Sequence, residues 1–241
     1  MADALSLYRS LVARGTQPAL TWYGEQGRME LSGKVAANHL AKIAGYLADE
    51  LWLDPGATVE LDLPAHWKQV LWGLGAMLAG LNVRVSTGRE IANNSDVSAF
   101  DEPAQAIITS SPERYDPDTS SAESIAALDL GPLSLRWMGA PLVPGVFDAS
   151  AEVMGQPDSL MDDTRFSSSN FATWHNLGTL TSDGDEARVL ITSPDNRVDP
   201  VVALAVATQQ LSRGGLVVVE SGDSEKIVHT EGARLTQFVS N

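Results

Sequence analysis

The chain has 241 residues, 44% of them hydrophobic, with no cysteine and a formal net charge of −15. This is enough apolar material for one large domain or two small lobes, and it excludes general disorder, disulfides, thiolate nucleophiles and zinc–thiolate sites. The acidic balance argues against nucleic acid, whose phosphates demand a positive footprint, and against an anionic membrane surface.

The segment from Met1 to Val12 resembles an acidic-capped amphipathic helix. It has no basic leader and no apolar core of the signal-peptide kind. No window approaches the roughly 18–20 apolar residues of a membrane span, so a cytoplasmic location is expected. Asp3 caps a helix carrying Leu7, Tyr8, Leu11 and Val12, which Gly15 stops. Ala19 to Tyr23 and Met29 to Leu31 form strands around a turn at Gly24–Gly27. Ser32 then caps a helix with Leu40, Ile43, Ala44, Leu47 and Leu51 at helical spacing.

After Asp54-Pro55-Gly56 the pattern becomes strand, helix, strand. Thr58–Leu63 and Asn82–Ser86 are the strands, and Trp67, Val70, Leu71, Leu74 and Leu78 mark one face of the helix between them. That order predicts a parallel crossover. A further strand is expected at Ala104–Thr109, followed by a polar loop to Ser121, and another at Ser134–Met138. Gly139 to Ser169 shows little periodicity beyond one short helix. Phe171, Trp174 and Leu177 suggest a helix, Arg188–Thr192 a strand, and Asp199-Pro200 a strong helix start. That helix carries Val201, Leu204, Ala205, Thr208 and Leu211, and Leu216–Val219 closes the series as a strand.

The ends of the two strand–helix–strand units echo each other. GLNVRVSTG at 80–88 parallels GGLVVVESG at 214–222, and IITSSP at 107–112 parallels LITSP at 190–194. Reuse of Val-rich strands and Gly stops accounts for this as well as two related lobes do, and both readings stay open. Two lobes would place ligands at the carboxyl ends of the strands, near Leu63-Pro64 and Ser193-Pro194.

The series from Pro18 to Tyr23, then Glu30-Leu31-Ser32 and a long helix, resembles the opening of adenylate-forming enzymes. Pro55-Gly56-Ala57-Thr58-Val59, Leu63-Pro64-Ala65-His66-Trp67 and the helix ending Ala79-Gly80 are similar to their "PGDRV", "LPN" and "GLGxxxAG" stretch. Ala187–Leu190 through Gly214-Gly215 and Thr236 resembles a later strand–helix–strand of that fold. The chain is identified as similar to a short actinobacterial family remotely related to AMP-binding synthetases. The resemblance implies an α/β fold of two stacked lobes with mainly parallel sheets flanked by helices, like the large N-terminal domain of those enzymes. Residues 1–53 with 176–241 would form one lobe, and residues 54–175 the other.

The departures carry the functional expectation. In that family a Ser/Thr/Gly-rich loop ending Pro-Lys-Gly holds the ATP phosphates, by close backbone approach and positive charge. The nearest candidates here, Thr109–Arg114 and Ser167–Asn170, contain neither glycine nor lysine. Pro194-Asp195-Asn196-Arg197 stands where the family often has an aromatic–His pair, and the sequence stops before the later acidic ATP-ribose motifs and the small domain with the catalytic lysine. The expectation is a non-catalytic binding or interaction module, acting as a homodimer or with a protein partner, without an obligatory cofactor. The alternative is an enzyme that keeps an ATP, AMP or acyl-CoA pocket and meets the phosphates with Arg114 or Arg197. A third reading is a subunit that completes another protein's active site.

No catalytic set emerges. His39, His66, His175 and His229 lack ligand spacing, so no metal is expected. Asp183–Glu186 and Asp162-Asp163 are best read as solvated acidic turns. Gly73-Leu74-Gly75 lies inside a helix, so packing explains it better than a dinucleotide turn. A crevice is expected from Ser193, Asp195, Asn196 and Arg197 after a strand, with His66 and Ser110 at other strand ends; ordinary loop hydrogen bonding is the competing explanation.

Overall fold

The computed structural model describes residues 3–86, 103–161, 171, 174, 177–180, 188–193, 198–236 and 238–240. Helix α1 (Ala4–Arg14) starts where the Asp3 carboxylate accepts the Ser6 amide at 2.7 Å. A hairpin of β1 (Pro18–Gly24) and β2 (Gly27–Ser32) follows. The Ser32 hydroxyl, accepting from the Val35 amide, caps α2 (Gly33–Gly45), which widens into a π-helical turn at Tyr46–Glu50. That turn ends at Trp52, a non-glycine residue with φ of 54° and 83% exposure.

The expected crossover is present. Strand β3 (Thr58–Asp62) runs parallel to β4 (Asn82–Val85), with α3 (Trp67–Leu78) between them in the chain. Next come β5 (Ala106–Thr109), β6 (Ser124–Ala127), β7 (Val146–Asp148) and α4 (Ala149–Glu152). The last third holds β8 (Gly178–Leu180), β9 (Arg188–Thr192), α5 (Pro200–Gln210) and β10 (Gly215–Val219). Then follow α6 (Ser224–Glu231), β11 (Arg234–Leu235) and β12 (Phe238–Ser240).

Two five-stranded sheets result, with a small β8–β12 pair beside them. The first sheet has the order β11-β9-β10-β1-β2, parallel except for the edge strand β2. The second, β4-β3-β5-β6-β7, is parallel throughout. Leu20, Trp22, Val189, Ile191, Leu216 and Val218 turn one face of the first sheet into a core shared with α1, α2, α3 and α5. The alternate residues Leu190, Val217 and Val219 pack against Ile227 of α6 on the other face.

Helix α3 is the central element, touching α1, α2 and α5 as well as β1, β3 and β4. All its residues are buried, including Lys68 and Gln69, so it does not present the single face its periodicity suggests. Its glycines fit neighbouring helices rather than a sheet. A Cβ on Gly73 would lie 2.6 Å from Leu204 of α5, and one on Gly75 would lie 2.6 Å from Ile43 of α2.

Several sequence expectations need correction. Ser134–Met138 is not a strand; its backbone is held by carboxylates, with Asp148 accepting the Trp137 amide and Asp129 the Met138 amide. The neighbouring strands of the sheet are β6 and β7, whose few apolar residues give no periodic signal. The chain does not close at β10, because Asp223 caps α6 and two short strands follow. Val12 is 51% exposed rather than part of the buried face of α1. Ser167–Asn170, Asp162-Asp163 and Asp183–Glu186 lie outside the described residues, as does most of the helix expected over Phe171–Leu177.

Candidate functional site

The second sheet has the strand order 2-1-3-4-5 of a doubly wound fold, so its direction of winding reverses between β3 and β5. Loops at the carboxyl ends part at such a reversal and leave a crevice. Asp62 ends β3 there and is 6% exposed. Its carboxylate accepts the Thr109 hydroxyl at 2.8 Å and Arg114 Nη1 at 3.0 and 3.1 Å. Thr109 in turn accepts the Ser111 amide at 2.9 Å, which turns the chain out of β5. Burial, then the charge and hydrogen bond of Asp62, pushes the Tyr115 phenol above its ordinary value. Ser110 sits in this cluster, its amide directed at the Asp62 carbonyl at 3.4 Å.

His66 marks the seam between the sheets. Its Nδ1 accepts the Lys68 amide at 3.2 Å and so caps α3. The imidazole lies between two indoles, with ring centroids 6.2 Å from Trp22 of β1 and 5.5 Å from Trp67. Burial, then the Lys68 charge, lowers it to about 4, so it is neutral at physiological pH. The Trp22–His66 contact brings the carboxyl end of β1 to that of β3. Beside it, Trp22 Nε1 donates to Glu220 at 2.8 Å, just beyond β10, and burial raises the Glu220 carboxyl despite that bond.

Ser193 follows β9, which runs parallel to β10 and so ends on the same side of the first sheet as β1. Thr192 fixes that end by donating to the Val219 carbonyl at 3.0 Å. Asp195, Asn196 and Arg197 lie outside the described residues. The structure therefore joins Ser110 to the Asp62 cluster and His66 to the tryptophan seam.

Sequence reasoning passed over Asp62, although a carboxylate ending an otherwise apolar strand beside Leu63-Pro64 is the signal that could have found it. It also read Trp67 only as part of a helical face. Arg114, one of the two cations considered for phosphates, is paired with Asp62. Among the described residues no cluster of three or more His, Asp or Glu side chains is suited to a metal ion. No described helix is long and apolar enough to cross a membrane.

No family model matches the chain. A protein of Mycobacterium tuberculosis named "TIGR03089 family protein" is 28% identical over 155 residues, which is 60% of this chain and 56% of that protein. A Brucella canis acyl-CoA synthetase superposes with a TM-score of 0.65 at 15% identity, over 97% of this chain and 47% of its own. The amide bond synthetase McbA of Marinactinospora thermotolerans gives 0.60 at 14% identity, over 96% of this chain and 48% of its own. The N-terminal domain of FACL13 from M. tuberculosis gives 0.61 at 14% identity, over 97% and 62%. The chain thus spans about half to three fifths of the length of the proteins it matches. Its two stacked α/β layers are the fold of the N-terminal part of adenylate-forming, acyl-CoA synthetase-like enzymes.

Proposed function

We propose that the chain is a binding or interaction module built on the adenylate-forming fold, which does not itself adenylate a substrate. The observation that carries this reading is the Asp62 cluster. At the reversal of the second sheet, where an anionic ligand would be cradled, the loop from Thr109 to Arg114 offers neither glycine nor lysine. Its arginine is already paired with a buried carboxylate. A carboxylate at that depth repels phosphate and offsets the charge of Arg114, the one cation of the loop. His66, neutral and shared between two tryptophans, adds no charge. The lobes, residues 1–53 with 176–241 and residues 54–175, supply the two walls of the crevice in this reading.

A nucleotide- or acyl-CoA-binding enzyme is the competing reading, favoured by the fold shared with acyl-CoA and amide bond synthetases. Incubation with Mg-ATP and a panel of carboxylic acids decides between them. The module releases no pyrophosphate above the protein-free rate with any acid. Sustained, acid-dependent release overturns the proposal.

A further inference from the structure

The exposed apolar side chains are not spread evenly. Five of the eleven that are large and exposed among the described residues, Leu133, Leu135, Met138, Val143 and Phe147, fall within one stretch that runs into β7, the edge strand of the second sheet. Leu133 is 83% exposed and Leu135 66%. The stretch has no helix or strand of its own before Val146, yet its backbone is firmly tied. The Asp129 carboxylate accepts the amides of Gly131 at 2.8 Å and Met138 at 3.1 Å, closing a loop with both leucines between its ends. The Asp148 carboxylate accepts the Trp137 amide at 2.9 and 3.0 Å, which fastens that loop to the end of β7 next to Phe147. A backbone already held this way has little freedom left to lose on binding, which favours association.

The charges select the partner. From Leu130 to Phe147 there is no Asp, Glu or Lys, in a chain with 31 acidic residues. Arg136, in the middle, is exposed and has no ion-pair partner among the described residues. Near the end of the stretch, a Cβ on Gly145 would lie 3.0 Å from Pro117, and this contact sets the exposed Asp116 and Asp118 on its flank. One face therefore carries an unpaired cation, apolar side chains and flanking carboxylates, a combination that a two-fold axis can match to itself. Two chains of charge −15 repel one another, and an acid-free face is where that repulsion is weak. The five side chains offer on the order of 500 Å2 of apolar surface, close to the apolar share of the roughly 800 Å2 that each partner buries in a standard interface.

We propose that this face joins two copies of the chain in a two-fold dimer. Leu133, Leu135 and Phe147 pack across the axis, and each Arg136 meets the acidic flank of the other copy. The role of the dimer rests on the interaction-module reading above, but its readout is mass. A monomer overturns the dimer and pyrophosphate release overturns that reading, so the two failures are distinct.

The test is sedimentation equilibrium of the whole chain. Across about 1–200 μM the mass rises from one chain of 25.7 kDa toward two, with a Kd of about 1–20 μM. Leu133→Asp combined with Leu135→Asp sets carboxylates against each other across the axis and leaves a monomer throughout. Both leucines are exposed, so the urea midpoint of this variant stays that of the parent. Arg136→Glu, which the symmetry counts twice, weakens the dimer about tenfold. Leu235→Asp, exposed on the edge strand of the first sheet, leaves the Kd unchanged. A chain that stays monomeric at the highest concentration overturns the proposal. So does a dimer that survives the paired leucine change or Arg136→Glu, one that weakens as much with Leu235→Asp, or a monomer that binds phosphatidylcholine vesicles through the leucines.

Discussion

Two arginine–carboxylate clusters, one on each sheet, differ in where their charge can go. On the first sheet, Glu231 at the end of α6 has a side chain only 4% exposed. It accepts Arg188 at 2.6 Å, Arg28 at 2.8 Å and the Tyr23 hydroxyl at 2.5 Å, and Arg28 and Arg188 also reach Glu30. That network clamps α6 across β1, β2 and β9. On the second sheet, Asp62 is as deeply buried, yet its partner Arg114 has a side chain that is 50% exposed. The first cluster holds one cation, Arg188, mostly out of water at 17% exposure and opens to solvent through Arg28, and it acts as structure. The second stands at the reversal of the sheet with its cation half in water. Burial of one cation, Arg188, rather than the distance across the ion pair, separates the two.

Substitutions should expose this difference. Glu231→Ala strands Arg188, whose side chain is 17% exposed, and is expected to cost about 3–5 kcal/mol in urea unfolding at pH 7. Acid should reveal the same residue. Burial alone would raise the Glu231 carboxyl, but hydrogen bonds from Arg28 and Tyr23 and the charges of Arg188 and Arg28 bring it down to about 2, from 4.5. Its contribution, about 3 kcal/mol, is therefore fully present above pH 4.5 and lost as pH falls through 2. Urea midpoints across that window should be flatter in Glu231→Gln.

His66 acts in the same direction, at higher pH. Held at about 4 against 6.5 when unfolded, it leaves the unfolded chain to take up the proton first, so stability is full above pH 6.5 and declines toward pH 4. His66→Asn keeps a cap for α3 and should remove about 2–3 kcal/mol of that decline; His39, also lowered by burial, maintains a remainder. Asp62→Ala, by contrast with Glu231→Ala, releases Arg114 to solvent and should cost only about 1–2 kcal/mol. Smallest is a gain: Trp52→Gly relieves the left-handed backbone at φ 54° and should raise stability by about 1 kcal/mol.

The elements legible from sequence are those with a local chemical signature. Asp3, Ser32 and Asp199 each cap a helix through a side-chain oxygen, and the β3–α3–β4 crossover follows from its hydrophobic runs. Strands β6 and β7 were not legible. Three- and four-residue strands made by pairing in the sheet carry too short a pattern to register. Among the candidate residues, Ser110 and His66 drew notice because each is a polar residue near the end of an apolar strand run. Asp62 and Lys68 escaped because what distinguishes them is burial beside particular partners, which depends on the whole fold. Gly73 and Gly75 were placed in a helix, but their fit to Leu204 and Ile43 depends on how α3 meets α5 and α2.

The most direct test of the central claim, an adenylate-forming fold without a hold on nucleotide phosphates, is thermal unfolding with Mg-ATP, AMP, CoA and an acyl-CoA added separately. A ligand at a hundred times its Kd adds about 2.7 kcal/mol, and each kcal/mol moves the midpoint of a domain this size by about 2–4 °C. The account predicts that ATP and AMP leave the midpoint within about 1 °C of the ligand-free protein. A rise of about 5–10 °C with either nucleotide would contradict it and place a working phosphate site in this chain.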